Sequence, residues 1–263
     1  MIDEPDGSPP ARAPLLPLFF VSGATSLVYQ TVWARQLHLV LGTSSFAISV
    51  VLAAFMGGLG LGGALGSRYA RRVRRPLWVY GWLELGIGAW ALGFPLGVRA
   101  ITPLYVASSG WPAADLVHGL LAAALLLPPT LAMGATLPLL SRLYADNLGT
   151  MGDRVAALYA VNTLGAVVGT LLAGLVALPT LGALATARLA AAGNLALGLG
   201  ALALDPRARP LPVGDDLDLD EAHRMRPDPV AVAVAGLGGL AALACEVGWT
   251  RLTGLILGGT TYA

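Results

Sequence analysis

The sequence predicts an all-α integral membrane protein: a six-helix bundle followed by the first helix of a second, parallel repeat. Three observations predict it. Of 263 residues, 56% are apolar and only 12% charged, with a mean hydropathy of +0.72, whereas a soluble domain carries about 25% charged residues. Long apolar runs follow one another along the chain, each holding the ~20 residues that cross ~30 Å of hydrocarbon at ~1.5 Å per residue. The closing stretch EVGWTRLTGLILGGTTYA repeats the early stretch QTVWARQLHLVLGTSSFA at a shift of 216 residues, and a long internal repeat decides the reading of a fold.

The elements follow in order. Residues 1–14 are acidic and proline-rich, with no positive region of a signal peptide, and read as a disordered tail. Six spanning helices follow, over about Leu15–Leu41, Ser45–Gly66, Leu77–Val98, Val117–Leu140, Val155–Leu178 and Ala183–Leu204. Together they make a transmembrane unit over 15–204. Strand alternation is absent, and a bilayer has no water to satisfy open backbone groups, so helices are the only solution. Residues 205–229 carry five Pro, seven acids and four Arg and read as a flexible linker. A seventh helix, about Pro229–Leu257, opens the second unit over 230–263.

Orientation follows from arginine. All sixteen basic residues are Arg, and with the N-terminus inside, twelve lie in inner segments against two, Arg99 and Arg188, in outer ones. That bias sets the N-terminus in the cytoplasm. Both repeats then run outward, related by an axis along the membrane normal, which is the two-halves plan of many transporters. The ending is the start of a second half, and the chain is expected to be the front part of a longer protein. The absence of Lys, with the excess of Ala, Leu and Gly, points to a GC-rich bacterial genome and so to the bacterial inner membrane.

Four blocks carry a family resemblance: SGATSLVYQTVWARQLHLVLGTSSFAISVVLAAFMGGLGLGGALGSR, RRPLWVYGWLELGIG, PPTLAMGATLPLLSRL and LYAVNTLGAVVGTLLAGLVALPTLG. In these the chain resembles bacterial membrane proteins that fuse a major-facilitator-like helical domain to a spermidine-synthase-like domain. The resemblance implies a major-facilitator-like six-helix bundle, a link to polyamine metabolism, and a C-terminal aminopropyltransferase-like domain or partner subunit. No glycine-rich strand–turn–helix of such a domain lies in these residues. The major-facilitator loop pattern G-x-x-x-D-R-x-G-R-R is matched between the second and third helices by Gly63, Arg68, Arg71 and Arg72, with Ser67 in place of the aspartate and Ala70 in place of the second glycine. These arginines are either gating residues or anchors at the headgroups.

Charge within a bilayer costs about 2.5–3.5 kcal/mol per group on insertion scales, so each instance needs a reason. Glu84 and Glu246 are the candidate contacts for a polyamine or other small cationic ligand; Arg35, Gln30 and Trp33 stand with them. Glu84 equally suits a packing role. Helical rise sets Arg35 and Glu84 ~9–10 Å apart in depth, near the limit of a direct pair. Gln30, Trp33 and Arg35 recur as Glu246, Trp249 and Arg251, which suits a site between two halves or a structural lock there. Asn162, with Gly165 and Gly169, makes a close-packing stripe and is expected to bond across to another helix, and Gly58, Gly62 and Gly66 make a second such stripe. Pro128 and Pro129 remove two backbone donors and free carbonyls around Ala124 and Leu125, as at a hinge or a cavity wall. His38 and His118 are read as interfacial. The lone Cys245 and the scattered His give no metal site, no cofactor is expected, and no basic aromatic face suggests nucleic acid. There is no Ser-His-Asp set, H-E-x-x-H or P-loop. The expected function is a membrane module that binds, moves or channels a polyamine-type molecule beside a synthase-like domain. The alternatives are a transporter without an enzyme domain, and a membrane anchor.

Overall fold

In a computed structural model the described residues are 15–41, 45–70, 72–144, 148–205 and 228–257; the tail over 1–14, residues 42–44, Arg71, residues 145–147, linker residues 206–227 and residues 258–263 lie outside them. Apart from short connections such as 72–75 and 109–113, the described residues are helical, without strands. The helices are α1 (Leu15–Leu41), α2 (Ser45–Ala70), α3 (Pro76–Ser108), α4 (Ala114–Tyr144), α5 (Leu148–Leu172), α6 (Leu178–Leu204) and α7 (Pro229–Leu257), with a π-helical turn, Ala173–Ala177, between α5 and α6. Six stretches among them are long and apolar enough to cross a membrane. One is the 53-residue run Gly152–Leu204, about 80 Å if straight. It is not straight. Gly182 sits at φ 76°, ψ 168°, a conformation that only glycine adopts without strain, and the chain doubles back there, between the fifth and sixth segments expected from sequence.

Neighbouring contacts show the alternation. Ser22 meets Glu84 and Trp33 meets Phe94, so α1 and α3 run parallel. Gly81 faces Gly198 while Gly88 faces Ala191, so α3 and α6 run antiparallel. The glycine stripes weld two further pairs. In α2, Gly58, Gly62 and Gly66 lie against Thr130, Leu131 and Ala135 of α4; in α5, Gly165 and Gly169 lie against Phe20 and Ala24 of α1. At each a Cβ would collide with backbone or side chain of the facing helix, so these crossings need glycine.

The closest pairings are α2 with α4, α1 with α5, and α3 with α6. This set is unchanged when α1, α2 and α3 are exchanged for α4, α5 and α6. One shift of 107 residues carries Gly58 to Gly165, Gly62 to Gly169, Phe20 to Leu127, Ala24 to Leu131 and Pro76, the start of α3, to Ala183, the residue after the Gly182 turn. Because α1 and α4 run in opposite directions, the two triplets form an inverted repeat. Helix α1 lies at the centre, touching α2 through α6, and buries Phe19, Tyr29, Val32, Trp33 and Leu37. Helix α7 stands apart: it meets the bundle along α2, and most of its residues are exposed.

Candidate functional site

A buried polar cluster is built by α1, α3 and α6. Glu84, on α3, has no exposed surface. Ser22 on α1 donates its hydroxyl to Glu84 Oε1 at 2.6 Å. Asn194 on α6 donates Nδ2 to Glu84 Oε2, and Tyr29 on α1 donates its hydroxyl to Asn194 Oδ1 at 2.9 Å. The Tyr80 hydroxyl lies against the same carboxyl group, 3.5 Å from the Leu18 carbonyl. Helical spacing explains the convergence. Tyr80 and Glu84 are four apart on α3, and Ser22 and Tyr29 are seven apart on α1, so each pair shares a face. The small residues at Gly81, Gly88 and Gly198 let α3 and α6 approach closely enough for Asn194 to reach across.

An apolar lid covers one side of this cluster. The Trp33 ring stacks between Tyr29, with centroids 4.8 Å apart, and Phe94, 4.6 Å apart, with planes within 12° of parallel in both pairs. Trp33 is 1% exposed. It therefore belongs to the core of its own six-helix unit and not to a face between two halves.

The other sequence candidates scatter. Arg35 is exposed and does not pair with Glu84, whose polar partners are all neutral groups. Gln30 is half-buried, and its Oε1 has no hydrogen-bond partner. Glu246 is exposed on α7, Trp249 is 69% exposed, and Arg251 has a place in α7 but no described side chain. Asn162 sets its backbone carbonyl and side-chain oxygen against Gly23; the expected side-chain bond to another helix is not among the hydrogen bonds of the described residues. Arg68 and Arg72 are exposed, and Arg71 lies outside the described residues. His38 is half-buried, while His118 is buried, stacked on Tyr105 at 3.8 Å with Nε2 3.1 Å from the Tyr105 carbonyl.

Pro128 and Pro129 do not stop α4. The Leu125 carbonyl, freed because Pro129 has no N–H, accepts from Trp90 Nε1 of α3 at 3.1 Å. The break is thus filled by a neighbouring helix, as apolar surroundings require.

Sequence reasoning missed Ser22, Tyr80 and Asn194 around Glu84, and Tyr29 behind Asn194. Asn194, a polar residue in the run AAAGNLALGLG, was the signal that could have found the cluster. It also treated Arg142, Arg75 and Asp205 as loop charges. Arg142 on α4 donates to the carbonyls of Ala70 and, at 2.8 Å, Val73, closing the C-terminal end of α2. Arg75 pairs with Asp205, joining the start of α3 to the end of α6. No group of His, Cys, Asp and Glu able to hold a metal occurs among the described residues. Set against known protein families the chain matches no family model, and no curated protein matches it.

Proposed function

We propose that the chain lies in a lipid bilayer, N-terminus in the cytoplasm of a bacterial cell, as a major-facilitator-like six-helix half with α7 opening a second half. One observation carries the architecture: the helix pairing survives exchange of the two inverted triplets, the construction used by transporters that rock repeats around a central site. Large apolar side chains exposed on most helices, such as Leu61, Leu104, Leu120, Leu171 and Leu189, suit lipid and would be unsupportable over so much surface in water. Exposed Trp78 and Trp82 at one end of α3 and Trp111 beyond its other end sit where aromatic belts form.

Within that frame the module binds or moves a polyamine-type cation beside a spermidine-synthase-like domain or subunit. The ligand class rests on the sequence resemblance. In the described arrangement Glu84 is enclosed and its oxygens are occupied by Ser22 and Asn194, so a cation reaches it only when α1, α3 and α6 part. Spermidine binding to the purified protein in lipid nanodiscs tests the reading. Saturable binding that Glu84→Gln removes supports it. Binding unaffected by Glu84→Gln moves the contact elsewhere, with exposed Glu246 the next residue to replace. No binding by a well-folded protein leaves the anchor role.

A further inference from the structure

Glu84 presents a chemical imbalance that a packing role does not explain. A carboxylate in an apolar bundle is normally answered by a cation. Here, among the described residues, every group facing it is neutral: Ser22 and Tyr29 from α1, Tyr80 from its own helix, Asn194 from α6. The titratable groups among these are the two tyrosines, and none of the facing groups is an Arg, a His or a second carboxylate. The hydrogen bonds also share one direction. Tyr29 donates to Asn194, and Asn194 and Ser22 donate to Glu84, so the chain converges on an acceptor.

The two oxygens differ in what they tolerate. Asn194 Nδ2 has no lone pair to accept from a protonated Oε2, and turning the amide would break its bond from Tyr29. Ser22 Oγ can reverse. With a proton on Oε1, the Glu84 O–H donates to Ser22 Oγ, and the serine hydrogen turns to the Leu18 carbonyl, four residues back on its own helix. One proton is bound, one negative charge disappears, and no other covalent bond changes.

We propose that Glu84 is a reversible proton-binding site, with Oε1 as the atom that takes the proton, and that its occupancy sets how firmly α3 is tied to α1 and α6. The ionised form draws charge-assisted bonds from two neighbouring helices at once, and the protonated form does not. This inference does not depend on the transported ligand, and its readouts need none.

The test is an infrared pH titration of the protein in nanodiscs, with isotope-labelled glutamate carboxyl groups and with Glu4, Glu221 and Glu246 replaced by Gln, so that Glu84 is the one glutamate left in the chain. A glutamate carboxylic-acid band that grows as pH falls and is absent in Glu84→Gln supports the proposal. Ser22→Ala removes a charge-assisted bond from the ionised form and only a weaker neutral bond from the protonated form, so the acid band then persists at a pH where the parent protein lacks it. Hydrogen exchange supplies the second arm: backbone protection of α1 and α6 around Ser22 and Asn194 falls with pH in the wild type and stays constant in Glu84→Gln. If Glu84→Gln does not fold, the parent titration and Ser22→Ala carry the decision. A band fixed at one intensity across the pH range, or protection that follows pH equally in wild type and Glu84→Gln, overturns it.

Discussion

Two residues on facing helices do most to fix the centre of the bundle. Asn194 holds the Tyr29 hydroxyl and the Glu84 carboxyl together, so Asn194→Ala takes the acceptor from Tyr29 and the Oε2 donor from Glu84. It is expected to cost about 1–2 kcal/mol, read as a lower unfolding midpoint in detergent. Trp33→Ala empties the slot between Tyr29 and Phe94 and should cost about 3–5 kcal/mol in the same measurement. Trp249→Ala, at the repeat-related position, removes a ring that is 69% exposed and should change stability by under about 0.5 kcal/mol. Equal losses at the two tryptophans would contradict the placement of Trp33. At this scale the sequence was informative about which residues are unusual and silent about their partners. Glu84 stands out because charge within a long apolar helix is rare; Ser22 and Tyr80 do not, since serine and tyrosine are common in apolar helices and only the crossing of α1, α3 and α6 makes them neighbours.

At the scale of elements, the glycine stripes separate into two kinds. Gly62 and Gly169 have facing backbone where a Cβ would go, whereas Gly57 and Gly60 have nothing within 4 Å. Gly62→Val or Gly169→Val should push a helix pair apart at a cost of about 1–3 kcal/mol. Gly60→Ala should leave stability unchanged or raise it by about 0.5–1 kcal/mol, because alanine loses less backbone freedom on helix formation. Thermal unfolding of the three variants in detergent checks this, and a loss at Gly60→Ala equal to that at Gly62→Val would contradict the assigned crossings. Trp90→Phe leaves the Leu125 carbonyl opposite Pro129 without its donor and should cost about 1 kcal/mol. The stripes and the proline break were legible in sequence as spacing. Legible too were the seven helices of the described residues and the turn near Gly182. The π-helical turn was not, and α3 runs ten residues past its expected end at Val98, through Pro103, because apolar content alone does not mark where a long helix stops.

For the whole molecule, two fastenings gather the ends at which α2 and α4 finish, α3 starts and α6 finishes: hydrogen bonds from Arg142 to carbonyls at the end of α2, and the ion pair of Arg75 with Asp205. Asp205→Asn should loosen α3 from α6 by about 1–2 kcal/mol, between the values for exposed and buried pairs because Arg75 is half exposed. The sequence repeat at a shift of 216 residues was visible because it preserves residue identity in W-x-R. The inverted repeat at 107 residues was not, because it preserves only where glycines touch a partner. The account's central claim is that this inverted bundle spans a bilayer with its first helix starting in the cytoplasm. The most direct test places single cysteines at Arg72 and at Gly110, in a Cys245→Ser background, and labels intact cells with a membrane-impermeant maleimide. The account predicts that the cysteine at 110 reacts from outside and the one at 72 reacts only after the membrane is opened. Labelling of both from outside, or recovery of the protein free of the membrane fraction, would contradict it.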